Sequence, residues 1–427
     1  MGTDGFSRGR EGQLSAGTPL TEAEKHSLFT FRLFDGITAS AWARLLAQHR
    51  FAISPSRLPL VLQISAMSIV NSTLGSIQNL VFSDRIAAST IDVPPIFILG
   101  HWRTGTTYLH ELIALDDAFA APTTLECVAP SQFLVAGWLA RILSFMLPEK
   151  RPMDDMLVGL DRPQEDETAL VNLGFRSPLE SVIFPNHRPA GNQFLNITDL
   201  APDQLEPWKA GLRRFLQSVN FRCRREMPDR ARRIISKSPQ HTARIRTLCE
   251  MFPSAQFIHM VRHPYEVFAS TMRLMRVMFG FVGVQKPVLG PLPGGGPSLE
   301  EYVIDTMDLL YRDFFAETAM LAPGRLSQVR YEEPHLPGTR ARVDRADETE
   351  ARGLSREHQG IHAEPAAHLG RAQGPGEPPL ALVPGSIRLP GIVGACDGVA
   401  SNRRHRERPR CRAPEPQSSA NPPQCWL

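Results

Sequence analysis

Pro95-Ile-Phe-Ile-Leu99, running straight into Gly100-His-Trp-Arg-Thr-Gly-Thr-Thr107, decides how the rest of the chain is read. The first five residues form a short, continuous apolar run with Pro-Pro before it and Gly after it. A strand buried on both faces of a parallel sheet has this pattern. The next eight residues open a helix. Their glycines allow a tight turn, and the free backbone N–H groups of the first helical turn form a cradle for an anion. Thr106 and Thr107 add hydroxyl donors, and Arg103 adds a permanent charge with a bidentate fork. The spacing mimics the nucleotide loop Gly-x4-Gly-Lys-[Ser/Thr], but Thr106 stands where the lysine would be. The loop is therefore expected to hold a phosphate-like group without the charge that ATP and magnesium require. The competing reading is a plain strand-to-helix turn.

Two similar units lie further along. Arg233-Ile-Ile-Ser236 leads through Lys237-Ser-Pro-Gln-His241 into a helical stretch ending near Met251. Ala255-Gln-Phe-Ile-His-Met-Val261 leads through Arg262-His-Pro264 into another helix. Strand, short turn and helix, repeated, predict a three-layer α/β fold with a central parallel sheet. Residues 116–232 read as mostly helical with irregular connections, and the Gly/Pro-rich stretch 280–297 reads as a loop. Ser298-Leu-Glu-Glu301 restarts a helix with a capping box, and Val303, Met307, Leu310 and Phe314 give it one apolar face. Arg325–Tyr331 fits a last strand.

Three segments follow: a helical N-terminal extension over 1–88, an α/β domain over 89–333 and a tail over 334–427. Thr21-Glu-Ala-Glu24 fits a capping box in the extension. The most apolar window, Leu58–Phe82, is interrupted by Gln63, Ser65, Ser68, Asn71, Ser72 and Gln78. It reads as a packed helix rather than a membrane span, with peripheral membrane contact as the alternative. The tail has 13 Pro, 10 Gly, no Phe, no Tyr and one Trp, so it cannot bury enough apolar area to offset its ordering entropy and is expected to be disordered. Its Arg, Pro, Ala and Gly without Lys is also what a GC-rich gene yields when read out of frame.

Over 427 residues, 42% hydrophobic and 21% charged, the chain can bury a core, which excludes a wholly disordered or collagen-like protein. The net charge of +3 resides in the tail, leaving residues 1–333 formally neutral and unsuited to nucleic acid. None of the six cysteines forms a CxxC pair, so neither zinc nor a redox motif is suggested. The polar N-terminus lacks a secretory pattern. Free thiols in a cytoplasmic protein are the simplest expectation.

A second anion signal is Val261-Arg-His-Pro-Tyr-Glu-Val-Phe-Ala-Ser270. Arg262 ends a strand, and Ser270 lies about two helical turns on. With the first loop, this pair implies a ligand carrying two separated anionic groups.

The two motifs together resemble the sulfotransferase superfamily, whose sulfuryl donor is 3′-phosphoadenosine 5′-phosphosulfate. Gly100–Thr107 is similar to its 5′-phosphosulfate loop, and Arg262-x-Pro264 with Ser270 to its 3′-phosphate motif. Ile235-Ser-Lys-Ser-Pro-Gln-His241 and Gln328-Val-Arg-Tyr-Glu-Glu333 resemble further elements of its bacterial-type branch. The likeness covers roughly 90–333 and stops at the tail. It implies a P-loop-like fold and sulfuryl transfer to a hydroxyl or amine of a small-molecule, lipid-like or carbohydrate acceptor. Gly100, Arg103, Thr104, Gly105, Thr106, Thr107, Arg262 and Ser270 would bind the donor. Arg103 and Lys237 would steady the leaving oxygen, so that no metal is needed. Glu126 fits the place of the family's general base. The cluster Glu165, Asp166, Glu167 has as its plainer reading a solvated helix start, and it is an alternative base together with His241 and His101. The rival functions are a nucleotide kinase with a degenerate loop and an inactive nucleotide binder.

Overall fold

The computed structural model describes residues 32–142, 159–198, 200–228 and 230–332. The expected capping box at Thr21–Glu24, Glu333 of the last motif and the whole tail from Pro334 lie outside them. The described chain opens with α1 (Ala39–Gln48) and α2 (Leu58–Ala87), then β1 (Ile96–Leu99), α3 (Thr106–Ala114), β2 (Phe119–Ala120), α4 (Thr124–Val128) and α5 (Phe133–Ile142). It continues with α6 (Asp166–Leu173), α7 (Glu180–Ile183), α8 (Pro202–Glu226), β3 (Arg233–Lys237) and α9 (Ile245–Met251). β4 (Gln256–Val261), α10 (Pro264–Val282), α11 (Leu299–Thr318) and β5 (Leu326–Arg330) complete it.

The sheet is parallel throughout, in the order β2-β3-β1-β4-β5. All four residues of β1 are buried, as its unbroken apolar run requires, because helices cover both faces. Phe97 and Leu99 pack with Ile234, Phe257 and the Trp208–Val219 stripe of α8. A second core joins α1, α7, α10 and α11 through Trp42, Ile183, Phe279, Val303 and Leu310. The register matters for function. Ile98 lies beside Lys237 and Leu99 beside His259, so the chain leaves β1, β3 and β4 at one edge of the sheet. Ligands of open α/β sheets collect at that carboxyl edge.

Several expectations change in detail. α10 runs on to Val282, because Phe279, Phe281 and Val282 are buried, so the Gly/Pro-rich loop starts at Gly283 rather than at 280. The two-residue β2 is a strand that the sequence reading missed. The Ser298 capping box forms on both sides, Ser298 with Glu301. α2 forms the expected helix and packs through Leu60, Val61 and Ile64 into the second core, but it buries polar residues as well and leaves much of its apolar surface exposed. Ser68, Asn71 and Gln78 are buried, while Leu62 is 67% and Leu80 86% exposed. Asn71 donates to the carbonyls of Asp35 and Ile37 and accepts from Gln132, so polar contacts also seat the helix.

Candidate functional site

The loop after β1 is bent into its shape at three residues with positive φ: Gly100 (140°), Arg103 (70°) and Gly105 (96°). A Cβ on Gly100 would come within 2.9 Å of the Met260 carbonyl, and one on Gly105 within 2.3 Å of the Tyr331 ring. Glycine is thus required at both, by conformation and by space. Arg103 takes a left-handed conformation that costs a non-glycine residue on the order of 1–3 kcal/mol and that collects at functional sites. Thr242 Oγ1 accepts from the Gly100 N–H at 2.7 Å, and Thr104 Oγ1 donates to the His101 carbonyl at 2.7 Å, which fastens the loop to the sheet edge. The first-turn N–H groups of α3 then open the anion cradle.

The second motif meets the first directly. Arg103 Nε donates to Ser270 Oγ at 2.9 Å, and Arg262 Nη1 donates to the Arg103 carbonyl at 3.0 Å. Arg262 also pairs with Glu266 at 2.9 Å and lies 4.4 Å from the centre of the Tyr331 ring. Tyr331 is held there because its N–H continues the sheet to the Val261 carbonyl at 2.8 Å. Burial raises the Tyr331 phenol, against the pull of Arg262 and Arg103, so it stays neutral. Tyr331 lay inside a quoted motif, but its place between loop and arginine was not legible there.

Lys237 brings a third cation to the same edge. It is the last residue of β3 and is 2% exposed, not a surface charge. Its Nζ donates to Glu165 Oε1 at 2.7 Å and to Thr107 Oγ1 at 3.2 Å. Burial and the Lys237 charge push His110 down to about 3.

The acidic run is not a solvated helix start. Glu165 faces Lys237 and keeps 20% side-chain exposure. Asp166 is fully buried and accepts from Ser236 at 2.6 Å, from His241 at 2.8 Å and from Ser238. Burial alone would raise its pKa, but the His241 charge and these hydrogen bonds outweigh it and hold the carboxylate well below the usual range. Glu167 forms a bidentate pair with the fully buried Arg244, at 2.6 and 3.1 Å, and accepts from Ser177. Three consecutive acids thus reach three separate partners, Lys237, His241 and Arg244.

Glu126 is placed elsewhere. It closes the capping box of α4, accepting from the Thr123 N–H at 2.8 Å, and it pairs with Arg222 at 2.6 Å. It is 1% exposed and lines a cavity of about 780 Å³ together with Arg162, Arg222, Arg225 and Trp138. His101 is also buried, its pKa pushed down to about 4 by that burial, with Nδ1 on the Trp102 carbonyl. His241 is directed at Asp166, not at the loop. The structure therefore joins Arg103, Thr107, Lys237, Arg262, Ser270 and Glu165 at one edge, and it leaves Glu126, His101 and His241 in structural contacts.

Comparison with known proteins gives a consistent outcome. The sequence profile described as the sulfotransferase family matches residues 94–334. Omega-hydroxy-beta-dihydromenaquinone-9 sulfotransferase Stf3 of Mycobacterium bovis (strain ATCC BAA-935 / AF2122/97) is 41% identical over 301 residues, covering 70% of this chain and 74% of that protein. The protein of the same name from Mycobacterium tuberculosis (strain CDC 1551 / Oshkosh) gives the same figures. Among solved structures, sulfotransferase STF9 of Mycobacterium avium superposes with a TM-score of 0.51 at 16% identity, over 77% of this chain and 89% of that one.

Proposed function

This chain belongs to the sulfotransferase family, and from that premise we propose that it moves a sulfuryl group from 3′-phosphoadenosine 5′-phosphosulfate to a hydroxyl of a lipid-like acceptor. That the chain is a sulfuryl-transferring enzyme follows from the family and the 41% identity. The donor is supported by one observation above all: two anion-binding motifs from separate strands are hydrogen-bonded to each other, Arg103 to Ser270 and Arg262 to the Arg103 carbonyl. The acceptor class is supported by the relatives, which are named for a menaquinone derivative carrying a hydroxyl. The kinase alternative needs a lysine where Thr106 stands. We place the enzyme in the cytoplasm, in keeping with the unpaired thiols of Cys127, Cys223 and Cys249.

The donor, when bound, supplies a sulfuryl group joined to a phosphate that departs with negative charge. In this reading Gly100–Thr107 cradles the 5′ side through backbone N–H groups and the Thr104, Thr106 and Thr107 segment, while Arg262 and Ser270 hold the 3′-phosphate. Arg103 and Lys237 present fixed charge to the departing oxygen. The acceptor hydroxyl attacks as an S–O bond forms, the bridging S–O bond breaks, and the acceptor proton passes to a carboxylate. Glu165 is our choice for that carboxylate, since it touches Lys237 and keeps solvent access, whereas Glu126 is enclosed by Arg222 and its own cap.

Calorimetry with adenosine 3′,5′-bisphosphate and AMP tests the donor. The bisphosphate should bind far more tightly, and Arg103→Ala should remove roughly 1.5–3 kcal/mol of that affinity, the worth of a charge-assisted hydrogen bond. Equal affinity for the two nucleotides would overturn the paired-anion reading.

A further inference from the structure

Helix α2 packs through Leu60, Val61, Ile64 and Ile86, yet it leaves a long, largely apolar face exposed. From Leu58 to Ser83 it contains no charged residue. Two of its polar side chains are turned inward, while Thr73, Ser76 and Asn79 stay exposed: Asn71 reaches the Asp35 and Ile37 carbonyls, and Gln78 Oε1 accepts from the Leu134 N–H at 2.7 Å. Leu62, Ile69, Ile77, Leu80 and Val81 point outward. The apolar face continues onto α5, where Trp138 is 64% and Ile142 61% exposed.

We infer that this face lies on an anionic lipid bilayer, with α2 in the plane of the interface. Both ends of the face are basic. Arg50 stands beside the exposed Phe51, and Arg57 precedes the helix. Arg85 is in the last turn, and the Arg225 guanidinium sits 5.4 Å from the Phe82 ring centre. Asp84 is the helix's one carboxylate. An apolar stripe between arginines fits acyl chains flanked by lipid phosphates. A second copy fits less well, because pairing two such faces in either direction sets arginine against arginine. α2 is long and apolar enough to cross a membrane by length and composition, but its inward bonds run along its middle and Arg214 of α8 donates to the Ser83 carbonyl at 2.9 Å. A spanning helix would have to drag this charged partner into lipid.

The docked face adjoins an opening. Trp138 and Arg225, which border it, also line the cavity of about 780 Å³.

Sedimentation of the full chain with vesicles, without donor or acceptor, tests the inference. Vesicles of phosphatidylcholine with phosphatidylglycerol should pull the protein down, and phosphatidylcholine alone should do so less. The triple variant Leu62→Gln/Ile69→Gln/Leu80→Gln should lose roughly tenfold or more in vesicle affinity, as interfacial binding scales with buried apolar area. Its affinity for adenosine 3′,5′-bisphosphate should stay unchanged, which shows that the fold is intact. A wild-type chain that remains in the supernatant overturns the inference. So does a triple variant that still binds vesicles but turns a dimer into a monomer in ultracentrifugation. Crosslinking of this face to residues 1–31 or 333–427 in the absence of lipid also overturns it. Vesicle binding without sulfuryl transfer to a lipid-like acceptor would remove the proposed acceptor and leave the docking surface standing.

Discussion

The sheet edge and helix α2 both break the ordinary sorting of residues, in opposite senses. At the edge, Lys237, Glu165, Asp166, Glu167, His241 and Arg244 are drawn in and paired. On α2, Leu62, Ile69, Ile77 and Leu80 face out while Asn71 and Gln78 face in. Burying ionised groups is tolerated only when each finds a partner, and leaving a large apolar face uncovered marks a surface used for something. The edge is thus built to present charge to a small anion, and α2 to present hydrocarbon to a broad apolar surface.

Substitutions should separate the two regions sharply. The largest effect is expected at Glu165: Glu165→Gln should lower kcat by roughly 10²–10⁴-fold, the usual weight of a general base. Glu126→Gln should leave kcat within a few-fold, and the reverse pattern in steady-state assays would return the base to Glu126. Next comes Glu167→Ala, which strands the fully buried Arg244; urea unfolding should show a loss of about 3–5 kcal/mol.

Acid should act through the same interior. Burial holds His101 and His259 at about 4, and burial with Lys237 holds His110 at about 3, against 6.5 in an open chain. Between those limits the unfolded chain binds more protons than the fold, so stability is lost as pH drops below about 6.5. Roughly 2 kcal/mol per ring should be gone by pH 5, and melting curves at pH 7 and 5 will read it. The smallest effect belongs to α2. Ile69→Gln, on its outer face, should shift unfolding stability by no more than about 0.5 kcal/mol, as surface changes generally do. A large loss there would mean that the face is buried in the free protein.

The sequence made the edge readable where its signals are local. The apolar run before Gly100, the threonines after Gly105 and the Arg262–Ser270 spacing each announce a piece of the site within ten residues. Glu165–Glu167 could not be read so, because their partners Lys237, Ser238, His241 and Arg244 come about seventy residues later and only the packing of α6 against the end of β3 brings them alongside. β2 was too short to carry an alternating or continuous pattern. The inward turn of Asn71 depends on carbonyls of an irregular turn at Asp35–Ile37, and no periodicity records those.

Tyr331 carries one more consequence. Its ring fills the space over Gly105, and its backbone is joined to β4, so the loop meets this neighbour only when the final strand has docked. Positions 105 and 331 are separated by more than half of the 427-residue chain. Chains emerge from the ribosome N-terminus first. During most of its synthesis this protein therefore carries its most recognisable motif with one wall missing, and the nucleotide pocket is completed near the end of the described residues.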